Sequence, residues 1–280
     1  MGAEMADCSL LNPSGCIESF FEFLKNIINA PFIPLLDLIQ NLLSSPVNLS
    51  LFDSLWVLII YILSVFYGLL ILWAGFNFII SGYDSGKREE AKSWLKNVLV
   101  MIVLVQASYL LYESALEVSA RLTSGILGMI DPDFFLLTVD SLLNLGLEIL
   151  LGIVYLFTLI ITVIFLALRY FLVAVGLVFF PIGIFFYFIP FLKAYGKLII
   201  SSLMVIIFLP FFQSMILLIV SKMMEAPVFA DYKIVVMIVS FFLINLLMVF
   251  LIVFALIKSA FTMMNSDIGK ATKIAYGRLK

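Results

Sequence analysis

The 280-residue sequence contains no histidine, and this absence removes most of the side-chain chemistry that enzymes use. Zinc sites built on paired histidines, Ser–His and Cys–His nucleophiles, and haem held by histidine are all excluded. The long apolar segments lack the paired aspartates of an intramembrane aspartyl protease, and the chain has no Gly-x-x-x-x-Gly-Lys-Ser/Thr loop for nucleotide phosphates. We therefore expect no catalytic, cofactor-binding or metal-binding residues, and we interpret the protein as a non-enzyme.

Arg169 is the polar residue whose position most suggests a function, because it lies between two long apolar runs. A cation there is costly unless its side chain reaches the membrane interface or lines water. It is therefore either a boundary residue that extends to the interface or a contact in a pore or gate. The gate hypothesis combines Arg169 with residues that interrupt helices, allow close approach or carry an amide: Pro181, Gly183, Pro190 and Asn245. For Asn245, hydrogen bonding between helices is the alternative.

A basic cluster follows the first long apolar segment and consists of Lys87, Arg88, Lys92 and Lys96. Basic residues in short loops fix the orientation of membrane segments, and this role alone accounts for the charges. The same residues also suit a docking surface for a cytoplasmic partner. The sequence leaves both interpretations open.

The two cysteines, Cys8 and Cys16, both lie near the N-terminus. In an oxidising compartment they could close a small loop as a disulfide. Two free thiols are an equal alternative, whereas metal binding by two cysteines without histidine is disfavoured.

The composition indicates that these residues are positioned by membrane helices. Hydrophobic residues make up 64% of the chain and charged residues 12%, far from the values typical of soluble domains. Each apolar segment is long enough for a helix to cross a bilayer, and the six together contain one charge, Lys96. The segments are Leu55–Ile80, Trp94–Tyr112, Ile149–Leu168, Tyr170–Leu192, Leu198–Ser221 and Ile234–Ile257. We predict an all-α, polytopic helical membrane protein.

The distribution of Lys and Arg decides between two ways of threading these segments. Six crossings place 7 basic residues inside and 9 outside. If Tyr170–Leu192 instead enters and leaves on the same side, the division becomes 12 inside and 4 outside. We therefore favour five crossings plus one broken or re-entrant segment at Tyr170–Leu192, in the cytoplasmic membrane, with the N-terminus outside and the C-terminus inside. A kinked sixth crossing is the alternative.

Three regions follow from this threading. Residues 1–53 are predicted to be extracytoplasmic, with two amphipathic helices that lie in the membrane interface, against a partner or over their own bundle. Residues 54–257 form the transmembrane bundle with an outer loop at 113–148. Residues 258–280 are a basic C-terminal tail.

Two stretches resemble a known family of membrane proteins. The first runs from Gly75 through Ser81-Gly and Asp84 to Lys87 and Ala91-Lys92. The second contains Arg169-Tyr-Phe-Leu, Phe180-Pro181-Ile-Gly, Pro190, a basic turn through Lys197, and Pro210. Over residues 55–257 the pattern is similar to the TrbL-like polytopic inner-membrane subunit of type IV secretion and conjugation systems, and within it to the archaeal CedA-type subunit of DNA import.

The resemblance implies a non-enzymatic channel or scaffold subunit of a DNA transfer or import machine. It implies homo-oligomers in the lipid bilayer, a separate VirB-type or HerA-like ATPase, pilin-like small membrane proteins, and single-stranded DNA as the transported molecule. A secondary transporter or ion channel is one alternative, although such proteins usually show intramembrane charges and repeated broken helices. A structural component of a pilus base is another.

Overall fold

The computed structural model describes residues 23, 26–83, 85–136, 145–226, 229 and 232–265. Seven long helices account for most of these residues. They are α1 (Phe32–Ser44), α2 (Asp53–Ile80), α3 (Ser85–Gln106), α4 (Ser108–Leu127), α5 (Leu145–Phe188), α6 (Lys193–Met223) and α7 (Lys233–Asn265). Short 3-10 turns precede and follow α2 and occupy Pro132–Phe135. The predicted all-α architecture is confirmed over the part of the chain that the structure describes.

Among the described residues, five stretches are long and apolar enough to cross a membrane: Asn26–Ser44, Ser50–Ile80, Leu150–Phe188, Lys193–Met223 and Lys233–Ala255. In addition, α3 and α4 form a pair bent by 58° at Ala107, which has the form of a broken span or a re-entrant loop. The prediction of a polytopic helical protein with one broken element is therefore confirmed by length and composition.

The broken element does not lie where the sequence placed it. The segments Ile149–Leu168 and Tyr170–Leu192 are not separate, because α5 continues without interruption from Leu145 to Phe188. Pro181 lies inside this helix, and the chain leaves helical geometry only at residues 189–192. A proline costs one backbone hydrogen bond, whereas opening the helix in an apolar medium would leave several groups unbonded. The predicted boundary at Arg169 is wrong for the same reason.

The described helices are divided between two compact units. Of the described residues, the first unit comprises 23, 26–45, 120–136, 145–168, 210–226, 229 and 232–249. Its buried core is built mainly by Tyr155, Leu159, Met237, Phe241 and Ile244. Helix α1 contributes its apolar face to this core: Phe32, Ile39 and Leu43 are buried, and the Phe32 ring lies 5.1 Å from the ring of Tyr155. This helix is therefore amphipathic and covers its own bundle. Asn26–Ser44 is nevertheless long and apolar enough to cross a membrane, although it is not among the crossings predicted from the sequence.

Of the described residues, the second unit comprises 46–83, 85–119, 169–209 and 250–265. Its core is formed by large side chains of α3, α4, α5 and α6 that include Val105, Tyr112, Val173, Leu177 and Ile207. Helix α2 packs on α3 to form a hairpin, but most α2 side chains remain exposed. The second unit contains the residues considered below as a functional site.

Helices α5 and α6 approach each other closely at two glycines. A Cβ atom built on Gly196 would clash with the backbone nitrogen of Tyr187 and lie 2.6 Å from the carbonyl oxygen of Gly183. A Cβ on Gly183 would lie 2.9 Å from Ile199 Cγ2. The tight turn between the two helices therefore requires the absence of a side chain at position 196.

We expect Gly196→Ala to destabilise the protein by about 1–3 kcal/mol, because the backbones of α5 and α6 must move apart. The measurement is thermal unfolding of the purified full chain in detergent micelles. Gly68→Ala on α2 is the matched control, since a Cβ there meets nothing within 4 Å. Equal stability of the two variants would show that the close approach is unnecessary.

Candidate functional site

The guanidinium of Arg169 is buried in the second unit, with 4% of the residue exposed. Its Nε donates to the carbonyl oxygen of Ile206 at 3.3 Å, and its Nη2 donates to that of Ile207 at 3.3 Å. Arg169 therefore joins the interior of α5 to the backbone of α6. A cation buried among apolar side chains needs such acceptors, because burial removes its hydration.

The sequence of α6 explains why carbonyl groups are available at this point. Pro210 lies inside α6, and a proline has no N–H with which to bond the carbonyl four residues earlier. That carbonyl belongs to Ile206, which accepts from Arg169 instead. The arginine thus supplies the donor that the proline removes.

Two hydroxyl groups of α4 complete the polar contacts around Arg169. Ser119 Oγ donates to the carbonyl oxygen of Ile207 at 2.7 Å, and Tyr112 Oη donates to that of Val173 at 2.6 Å. Ser119 and Tyr112 are both buried, seven residues apart on one face of α4. Three helices therefore meet through side-chain donors and backbone acceptors, and we call Tyr112, Ser119, Arg169 and the carbonyls of Ile206 and Ile207 the polar brace.

A cavity of about 1210 Å³ lies in the second unit along α2. One wall is α2 from Ile59 to Ile80, a second is the start of α3, and a third is the end of α5 with the turn that follows it. Most lining side chains are aliphatic or aromatic, among them Phe66, Trp73, Trp94, Phe185 and Phe186. The polar side chains that line it are Asn77, Ser81, Lys87 and Glu90.

The structure brings together residues that the sequence assigned to different roles. Pro190 was predicted for the gate and Lys87 for partner docking, and both line this cavity. Arg88 stacks its cation over the ring of Phe78 at 5.7 Å, while Lys92 and Lys96 are exposed on α3 outside the cavity lining.

The other predicted gate residues lie elsewhere. Pro181 and Gly183 are buried inside α5, and Arg169 belongs to the polar brace. Asn245 is part of the first unit, where its Nδ2 donates to Thr162 Oγ1 at 2.9 Å and links α7 to α5. This bond is the helix-to-helix contact that the sequence offered as the alternative for Asn245. Cys8 and Cys16 lie outside the described residues.

Sequence reasoning did not identify Tyr112 and Ser119. Their spacing of seven residues was a usable signal, since it places both hydroxyls on one helical face. Their acceptors are backbone carbonyls on other helices, which a sequence pattern does not reveal.

Comparison with known families gives one match. The model of the type IV secretion system pilin family matches residues 49–111, which comprise α2, α3 and the first residues of α4. No curated protein and no solved structure matches the chain. The match supports a component related to type IV secretion, and it falls on the α2–α3 hairpin that forms two walls of the cavity.

The polar brace predicts an energetic coupling between Arg169 and Pro210. Arg169→Met removes the donors to the carbonyls of Ile206 and Ile207, whereas Pro210→Ala restores the N–H that the carbonyl of Ile206 lacks. We expect Arg169→Met to be less destabilising in the Pro210→Ala background by about 1–3 kcal/mol. The measurement is a double-mutant cycle of unfolding free energies for the full chain in mixed micelles.

Pro181→Ala is the matched control for this cycle. It restores an N–H to the carbonyl of Leu177 on α5, whereas Arg169 bonds the carbonyls of Ile206 and Ile207 on α6, so little coupling to Arg169→Met is expected. An equal cost of Arg169→Met in all three backgrounds would contradict the role assigned to the brace.

Proposed function

We propose that the protein is a non-enzymatic scaffold subunit of a type IV secretion-like machine that transfers or imports DNA. It resides in the cytoplasmic membrane with its N-terminus outside and its C-terminus inside. It works as a homo-oligomer with pilin-like small membrane proteins and a separate VirB-type or HerA-like ATPase.

The observation that carries this proposal is the pilin-family match on the α2–α3 hairpin. The side of α2 that faces away from the cavity exposes a continuous apolar stripe, which we call the outer face. It consists of Leu58, Tyr61, Val65, Leu72, Phe76 and Ile79. Gly68 lies on the same stripe, and a Cβ there would meet nothing within 4 Å. Apolar side chains beside a small residue suit close packing of membrane helices, so this face is a suitable contact for a pilin-like hairpin.

A scaffold is favoured over a pore through a single chain by the environment of Arg169. Single-stranded nucleic acid is bound by grooves that combine positive charge with aromatic stacking. The guanidinium of Arg169 is buried and bonded to backbone carbonyls, and the cavity along α2 is mostly apolar. A path for DNA would therefore be completed by several copies or by partner subunits.

The exposed basic residues at the start of α3 support a contact with a soluble partner. Arg88, Lys92 and Lys96 are exposed and lie within three turns of one another. A cytoplasmic ATPase with an acidic surface would be attracted to this end of the hairpin. Such rim charges affect association rates more than final affinity.

The outer face gives the test of the proposal. We expect a photo-crosslinking amino acid at Leu72 or Phe76 to capture pilin-like small membrane proteins, identified by mass spectrometry, in the cells that make the protein. Leu150 and Phe157 on α5 are equally exposed apolar positions outside the hairpin and serve as controls. We expect them to capture lipid or unrelated proteins.

Equal capture of the same partners from all four positions would contradict a specific role for the hairpin. Steady ion conductance by the purified chain in planar bilayers, without pilin-like partners, would instead favour the ion-channel alternative. If the whole proposal is correct, we expect deletion of the gene to abolish DNA transfer and the wild-type chain to restore it.

A further inference from the structure

The side chains that line the cavity along α2 indicate which class of ligand it would bind. The proposed role in secretion does not require such a ligand. We propose that this cavity binds one anionic phospholipid, with its acyl chains along α2 and its phosphate at Lys87. The inference concerns this chain alone, so it stands or falls separately from the proposed function.

The polarity of the cavity is graded along its length. The polar side chains that line it all belong to the end of α2, the turn after it or the start of α3: Asn77, Ser81, Lys87 and Glu90. The α2 residues that line it from Ile59 to Trp73 are aliphatic or aromatic. A site that is apolar over most of its length and charged at one end fits an amphiphilic ligand.

The dimensions of the cavity agree with acyl chains. The α2 residues from Ile59 to Ile80 rise by about 30 Å along the helix, close to the hydrocarbon thickness of a bilayer of about 30 Å. The chains of a lipid from one leaflet reach about half of that depth, so α2 is long enough to accommodate them with the head group at the polar end. The volume of about 1210 Å³ exceeds the range usual for small-molecule pockets, about 300–1,000 Å³.

The lining favours lipid over a partner helix. Helices pack closely in membranes where small residues let their backbones approach. The cavity walls are instead built mainly from large side chains such as Phe66, Trp73, Phe185 and Phe186, with Ala74, Ser81 and Ala91 as the small exceptions. Flexible acyl chains can fill the irregular space between such side chains, whereas a regular helix cannot.

The charge at the polar end favours an anionic head group. Residues 85–96 carry four basic and two acidic side chains, so the start of α3 is positive overall. Lys87 lines the cavity itself, and Glu90 lines it as well. We therefore expect Lys87 to bind the phosphate and Glu90 to weaken, without reversing, the preference for negative charge.

The experiment counts the lipids bound to the purified full chain. The chain is exchanged into detergent and equilibrated with equal amounts of dioleoyl phosphatidylglycerol and dioleoyl phosphatidylcholine, and bound lipids are identified by native mass spectrometry. We expect one phosphatidylglycerol to remain bound to the wild-type chain in preference to phosphatidylcholine.

Two charge variants test the head group. Lys87→Gln is expected to lower the ratio of bound phosphatidylglycerol to phosphatidylcholine about fivefold, whereas Glu90→Gln raises it. Lys92→Gln is the matched control, because it removes the same charge from α3 at a residue that does not line the cavity. Equal losses in Lys87→Gln and Lys92→Gln would indicate general attraction to a basic surface and overturn the proposal.

Two size variants test the acyl-chain region. Leu69→Trp adds bulk inside the cavity and is expected to abolish retention of the lipid. Leu72→Trp makes the same change three residues away on the outer face and leaves retention unchanged. Equal retention by the two variants would place the lipid elsewhere. A co-purifying membrane peptide, lost with Leu69→Trp, would assign the cavity to a partner helix and also overturn the proposal.

Discussion

The cost of leaving a backbone carbonyl without a donor in an apolar medium is the constraint on which the second unit depends. Apolar side chains and hydrocarbon supply no donors, so each helix must bond its own backbone or accept hydrogen bonds from neighbouring side chains. Pro210 removes one donor from α6, and Arg169 on α5 replaces it. Ser119 on α4 adds a bond to the next carbonyl. The result is that three helices are joined where α6 would otherwise be weakest.

The hydrogen bonds from Arg169 to α6 limit its suitability as a gate residue. A gate residue must leave its partners when the path opens, and the groups that it leaves must find water or other donors. If Arg169 moved, the carbonyl of Ile206 would lose the donor that compensates for Pro210. Such a residue is better suited to hold helices in place than to open and close a path. The dependence of the Ile206 carbonyl on Arg169 therefore favours a rigid scaffold over a single-chain channel.

Hydropathy and composition were sufficient to predict the helical class and the polytopic character of the chain, because both follow from local properties. They did not identify Asn26–Ser44 as a candidate span. The position of the broken element was not predictable in this way. Arg169 interrupts the hydropathy of α5, and 44 residues exceed one bilayer crossing, so one helix resembled two segments. Its continuity depends on acceptors supplied by α6, which no local pattern contains. The bend that does occur, at Ala107, has no proline or glycine to signal it.

Only some residues of the candidate site could be predicted from the sequence. The cavity depends on helices beyond the α2–α3 hairpin, and these helices distinguish the chain from a simple pilin-like hairpin. The family match covers α2 and α3, which supply two walls of the cavity. The third wall comes from residues 182–192, at the end of α5 and in the turn after it that contains Pro190, well outside the matched segment. Gly183 and Gly196 hold that wall in place by letting α5 and α6 turn back tightly on each other. A hairpin alone would leave this side of α2 without the third wall, so the cavity is a property of the larger fold, created where the end of α5 packs against the hairpin.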